Sequence, residues 1–221
     1  MPAPLSIVIP TRNAARDLPG ALGSLMEGLE AGMIRELIVS DGGSDDATLA
    51  IAEAAGADVL EGAPGRGGQL GRGAEAARAP WLLFLHADTQ LAPGWPEAVA
   101  RHIESGTPGY FWLRFRAPGL GARQTERWAN LRSRVFGLPF GDQGLLISRG
   151  DYEAAGGFDD LPLMEDVALA RRLTLRPIHH VATTAPDRYL AQGWYRRGAK
   201  NLLTLARYFL GASPAVLARK Y

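Results

Sequence analysis

The sequence predicts an α/β fold: a mostly parallel sheet flanked by helices, with an α+β second half laid over one end of the first. Three observations predict it. Short apolar runs alternate with stretches of helical periodicity through the first half of the chain. The run Trp81–His86 (WLLFLH) is apolar almost without interruption, as a strand covered on both faces must be. Acids stand where two of the runs end, Asp41 after the second and Asp88 after the fourth. The 221 residues suffice for one large domain with a real core. With no internal repeat and no low-complexity linker, residues 1–221 are read as a single domain with halves 1–106 and 107–221.

The first strand is Leu5–Pro10 (LSIVIP), β-branched and ended by Pro10. Asp17 stands as an N-cap with Pro19 in the first turn, and Leu18, Leu22, Leu25, Met26 and Leu29 form one helical stripe. Ile34–Ser40 is the second strand, followed by Asp41 and a turn through Gly42 and Gly43. Ser44, Asp45 and Asp46 start a short helix that runs through Ala55, and Ala57–Leu60 is a brief third strand. The glycine-rich stretch Gly62–Gly73 reads as a loop leading into a helix that ends near Arg78. Trp81–His86 is the fourth strand, and Pro93 opens a helix bearing Trp95, Val99 and Ile103.

The second half departs from this alternation. Tyr110–Arg116 reads as an edge or mixed strand and Gly121–Phe136 as an amphipathic helix. Gly144–Ser148 and Pro177–Thr184 read as strands, Asp151–Ala155 as a helical turn, and Met164–Leu175 and Tyr189–Leu210 as helices.

Bulk composition excludes little but does exclude something. A net charge of +1 sets up no global field for a polyanion, and the basic residues match no nucleic-acid module, so nucleic-acid binding is not expected. There is no cysteine, hence no disulfide and no thiolate metal site. The segment MPAPLSIVIP lacks the basic start and long apolar core of a signal peptide, and no uncharged apolar run reaches about 18 residues. A cytoplasmic protein is expected. After Asp187 come seven basic residues, Arg188 to Lys220, and no acid.

Asp41 and Asp88 fall at strand ends, the edge where open α/β sheets bind ligands, although Asp also caps turns there. Glu165-Asp166 opens a helix, where acids either cap or serve a site. Asp142 and Gln143 stand between glycines just before an apolar strand. In the glycine-rich stretch, Arg66, Gln69 and Arg72 could bring guanidinium forks and backbone N–H groups to a phosphate, or belong to a surface loop. The turn after the first strand, Pro10-Thr11-Arg12-Asn13, has no glycine, which disfavours a nicotinamide dehydrogenase.

LSIVIPTRNA, VSDGGSDDAT, FLHADT and MEDVALARR, in this order, resemble the inverting glycosyltransferases of family 2, which have the GT-A (Rossmann-like) fold. GDQG followed by GGF and PLMEDV resembles a compact bacterial branch labelled arsenosugar-biosynthesis or radical-SAM/selenodomain-associated glycosyltransferases. The resemblance implies a nucleotide-sugar-binding first half and an acceptor-side second half. It places Pro10, Thr11 and Asn13 along the nucleotide, and Asp41 on its base or ribose. Asp88 becomes the last acid of the metal-binding Asp-x-Asp motif. Asp166 becomes the general base, with Glu165 beside it, and Asp142 and Gln143 become contacts to donor sugar or acceptor. The implied cofactor is Mn²⁺ or Mg²⁺ and the implied donor a nucleoside-diphosphate sugar, UDP-linked, with a small-molecule or lipid-linked acceptor.

One departure concerns the metal. His86 stands where the motif has its first acid, and an imidazole suits Mn²⁺ better than Mg²⁺, or is simply a core residue. Rival readings are a nucleotidyltransferase, which should carry a basic glycine-rich loop after strand one, and a non-catalytic nucleotide-sugar-binding protein. The basic, leucine-rich C-terminal stretch either rests on an anionic membrane surface or packs on its own domain or on a second copy as a homodimer.

Overall fold

The structure, a computed structural model, describes residues 3–219. Met1, Pro2, Lys220 and Tyr221 lie outside the described residues, and with them one end of the N-terminal segment and the last lysine of the basic tail. The first half runs β1 (Leu5–Thr11), α1 (Leu18–Glu30), β2 (Ile34–Asp41), α2 (Thr48–Ala54), β3 (Asp58–Glu61), α3 (Arg66–Ala76), β4 (Trp81–Phe84), β5 (Thr89–Leu91) and α4 (Trp95–Glu104). The second runs β6 (Gly109–Phe115), α5 (Leu120–Phe136), a 3-10 turn (Gly141–Gln143), β7 (Leu145–Ser148), α6 (Arg149–Ala154), α7 (Glu165–Ala170), β8 (Arg176–Thr184), α8 (Asp187–Gln192), α9 (Trp194–Phe209) and α10 (Pro214–Ala218).

One eight-stranded sheet, ordered β3-β2-β1-β4-β7-β6-β8-β5, carries both halves. Its first four strands are parallel; β7 then joins β4 antiparallel, and β8 pairs parallel with β6 and antiparallel with β5. Strand alternation explains the unbroken apolar runs. Ile7, Ile9, Leu83 and Leu146 face α1 and α4, while Val8, Leu82, Phe84 and Ile147 face α3 and α6. The layers are tight enough to require glycine at contacts. A Cβ at Gly28 would sit 2.1 Å from the Trp95 ring, and one at Gly73 2.3 Å from Val8 Cγ1.

Several expectations needed correction. The glycine-rich stretch is helical from Arg66, because its glycines let α3 lie close on its neighbours: a Cβ at Gly67 would meet the Asp159 carbonyl at 2.2 Å. Asp17 does not cap α1; its carboxylate accepts from Arg116 at 3.1 Å instead. The fourth strand stops at Phe84, and β5 was not expected at all, being three residues held by β8. The strand at 109–115, by contrast, is mixed as read: β8 pairs with it in parallel along its length, and β7 meets it antiparallel at Gly109. The helix expected over Met164–Leu175 ends at Ala170. The last long helix is broken at Gly193, whose φ of 84° and ψ of 137° no helix tolerates.

Candidate active site

Parallel pairing in register brings the ends of β1 and β2 together, with Thr11 opposite Asp41. The turn that follows binds the Asp41 carboxylate completely. Thr11 Oγ1 and Ser44 Oγ donate to one oxygen at 2.8 and 2.6 Å; the backbone N–H groups of Gly43 and Ser44 donate to the other at 2.8 and 2.7 Å. Burial works to raise this carboxyl, but the four donors outweigh it and hold it below the usual range. Gln69 reaches in from α3 and donates to the carbonyls of Thr11 and Ser40, and Arg72 donates to the Asp41 carbonyl at 3.0 Å. Asn13, at φ 51°, accepts from the Asp45 N–H at 2.9 Å while its own N–H donates to Ser44 Oγ. Thr11, Asn13, Asp41, Gln69 and Arg72 thus form one framework that fixes the strand ends beside Pro10. Asp41 is fully enclosed, and its side chain is committed to that framework.

The second group of acids lies where β4 gives out and the 3-10 turn and α7 approach. His86 packs on Gly141, where a Cβ would stand 2.3 Å from His86 Nε2. Asp166 Oδ2 accepts the Gly141 N–H at 2.8 Å, and Glu165 pairs with Arg66 Nη1 at 3.5 Å. Asp88 accepts from the Thr89 and Thr184 hydroxyls at long range, both 3.4 Å. Asp142 Oδ1 is buried with no hydrogen-bond partner among the described residues. A small apolar-walled pocket opens here, lined by Leu70, Phe84, His86, Gly141, Glu165 and Asp166.

This group has too few donors for its charge, and its titration shows it. Burial pushes Glu165 up to about 7, helped by the neighbouring Asp166 charge and opposed by Arg66. Burial pushes Asp142 up to about 6, with Arg132 opposing and Asp88 and Asp166 adding to the rise. Asp88 is raised for the same first reason. His86 is held well below its ordinary value by burial and by the Arg66 and Arg188 charges, so its ring is neutral at pH 7. A set of acids short of protons' competitors can take a proton, hold a cation, or both.

The sequence also aligns with a known family. The profile of glycosyl transferase family 2 matches residues 6–152. The chain belongs to glycosyltransferase family 2. Over 99 residues this family 2 chain is 38% identical to the PGL/p-HBAD biosynthesis glycosyltransferases of Mycobacterium bovis and Mycobacterium tuberculosis, covering 41% of its own length. It spans only 38% of the length of those curated relatives. Among solved structures it is similar to S. aureus TarS 1–349 (TM-score 0.64, 16% identity, 97% of this chain and 68% of that one). The complex of the same TarS segment with UDP-GlcNAc superposes at TM-score 0.61 with 14% identity, over 82% of this chain and 58% of that one. These likenesses establish the fold as GT-A.

The structure thus divides the residues singled out from the sequence into two groups. Gln69 and Arg72 join the strand-end framework with Asp41, whereas Arg66, on the same helix, joins the acids. Gln143 is buried, its amide oxygen accepting from Ser133 Oγ at 2.6 Å and its amide nitrogen donating to the Phe111 carbonyl. Sequence reasoning missed Arg132, whose guanidinium lies 3.5 Å from the centroid of the Phe140 ring and lowers Asp142. It read as one more arginine on an amphipathic helix, and nothing local marks it otherwise.

Proposed function

We propose that the chain transfers a hexose from a UDP-sugar to an acceptor hydroxyl with inversion at the anomeric carbon. The observation that carries this is the convergence of Asp88, Asp142, Glu165 and Asp166 with Arg66 beside the carboxyl ends of the sheet, under-supplied with donors. The first half holds the nucleotide, with Pro10, Thr11 and Asn13 along its base and Asp41, Gln69 and Arg72 keeping that wall rigid. The second half holds the acceptor. TarS structures with UDP and UDP-GlcNAc support the donor class.

The chemistry follows from the charges. The acceptor hydroxyl must lose a proton as it attacks an anomeric carbon with oxocarbenium character. Asp166, positioned by the Gly141 N–H and less enclosed than Glu165, is the base; direct displacement with one base gives inversion. Glu165, pushed up to about 7 by burial and the neighbouring Asp166 charge, retains its proton below that pH. Arg66 stands ready to meet negative charge developing on the departing diphosphate.

A divalent cation suits this site in part. Asp88 is a half-buried carboxylate with long hydroxyl contacts, and His86 is neutral and so able to ligate. Among the described residues no three His, Asp or Glu side chains form a ligand cluster. Asp88 and His86 would therefore hold the ion together with the donor's own diphosphate, a common arrangement for Mg²⁺ and Mn²⁺. Such an ion would neutralise leaving-group charge. A thermal-shift series with UDP-, GDP- and dTDP-sugars, with and without Mn²⁺, tests the donor: UDP-sugars should raise the melting temperature most, by mass action. NMR of the product's anomeric centre tests inversion, and retention there, or release of pyrophosphate from a nucleoside triphosphate, would replace the proposal.

A further inference from the structure

The second half of the molecule wears two helices inside out. On α5 the inward residues are small or polar: Ala122, Glu126 and Ser133 are buried. They have a structural task. Glu126 accepts the Phe115 N–H at 2.8 Å, and Asn130 both accepts from the Leu113 N–H and donates to its carbonyl, so α5 covers free backbone groups of β6. Its apolar residues point the other way, with Trp128 67%, Val135 58% and Phe136 71% exposed. The neighbouring α9 repeats the pattern in part: Arg197, Thr204 and Leu205 are buried while Tyr195, Leu202 and Leu203 are 67%, 53% and 53% exposed. Of the three alternatives read from the sequence for this stretch, packing on its own domain accounts for Leu205 but not for Leu202 and Leu203. Between the two helices runs a groove of about 910 Å³, lined among others by Trp128, Leu131, Phe136, Leu202 and Phe209.

Charge separates the occupants. Residues 120–136 and 188–219 hold ten Arg and Lys and a single acid, Glu126, in a chain whose net charge is only +1. Glu126 is buried and bonded to Arg123 at 2.7 Å, so it leaves the surface basic. Arg127, Arg134, Arg196 and Arg207 are exposed beside the apolar residues. A second copy docking face to face would bring the same positive field against itself. An anionic bilayer meets both features at once, taking Trp, Leu and Phe into its interface while arginine heads reach phosphates. No helix among the described residues is long and apolar enough to cross a membrane, so the contact lies along the surface.

We propose that the α5–α9 face docks the protein on an anionic lipid bilayer. Arg132 lines this groove and also lies over Phe140 next to Asp142, so docking sets the acid-lined cleft beside the lipid surface. The docking stands independently of the sugar-transfer reading, because it is measured without donor or acceptor.

Vesicle flotation of the full chain is the test, with phosphatidylcholine vesicles against vesicles containing about one third phosphatidylglycerol. The chain should float with the anionic vesicles at least tenfold more than with the neutral ones, and lose most of that binding in high salt. The variant Trp128→Ser, Leu131→Ser, Leu202→Ser changes only exposed side chains, and should float at least tenfold less with an unchanged circular dichroism spectrum. Arg127→Glu, Arg196→Glu, Arg207→Glu should lose the preference for anionic lipid, roughly fivefold per charge removed; this variant decides the matter if the serine variant misfolds. Absence of flotation overturns the proposal, as does undiminished flotation of either variant. A dimer by light scattering that the serine variant dissociates, without flotation of the parent chain, would assign the face to a second copy instead.

Discussion

Two groups of carboxylates stand at one end of the same sheet and are treated in opposite ways. Asp41 has four donors at 2.6–2.8 Å, which hold its carboxyl below the usual carboxylate range. Glu165 has one arginine at 3.5 Å and an acid for a neighbour, and is pushed up to about 7. Both are almost sealed from solvent, so burial does not distinguish them. The supply of donors does. Where the chain saturates a buried acid it is building a turn; where it withholds donors it accepts a loss of stability, and such losses collect at sites of chemistry.

This contrast can be broken by substitution. Asp41→Asn should give the largest effect, since it removes the charge and turns an acceptor into a donor facing donors. A loss of about 2–4 kcal/mol is expected in urea unfolding at pH 7. The gap to the parent chain should shrink as pH falls below about 4: a lowered carboxyl contributes stability above its unfolded value and loses it as pH falls through the folded one. Glu165→Gln should act in the other direction. Its raised carboxyl binds more protons folded than unfolded, so the parent chain loses stability as pH rises from about 4.5 to about 7. The variant should be more stable at pH 8, by up to about 3 kcal/mol less the lost Arg66 contact, and indistinguishable near pH 4. Asp142→Asn should follow the same pH pattern with a smaller gain, about 1–2 kcal/mol, because Asp142 is partly open to solvent. Equal and opposite behaviour of Asp41 and Glu165 sharpens the contrast; destabilisation by all three substitutions at pH 8 would erase it.

The sequence carried the parallel half well, because its strands are buried on both faces and their apolar runs leave little choice of period. It carried the site residues as positions but not as groupings. Arg66, Gln69 and Arg72 lie on adjacent turns of α3, yet Arg66 reaches the acids while the other two brace the strand ends. That division depends on α3 being a helix, which the glycine-rich stretch Gly62–Gly73 concealed; the glycines serve contacts with Asp159 and Val8 that are distant in sequence. β5 was illegible for a similar reason, since three residues form a strand only because β8 offers a partner. Inside-out helices mislead most of all. Periodicity locates the apolar stripe on α5 and α9 but says nothing about which side the sheet's free backbone groups claim.

Asp166 is the group proposed to take the acceptor proton. The direct test is Asp166→Asn, assayed for sugar transfer and for UDP-sugar affinity in the same preparation. Transfer should fall by at least ~10³-fold while the donor Kd stays within about threefold. Retained transfer, or a Kd that rises along with the loss, would contradict it and move Asp166 to the donor pocket.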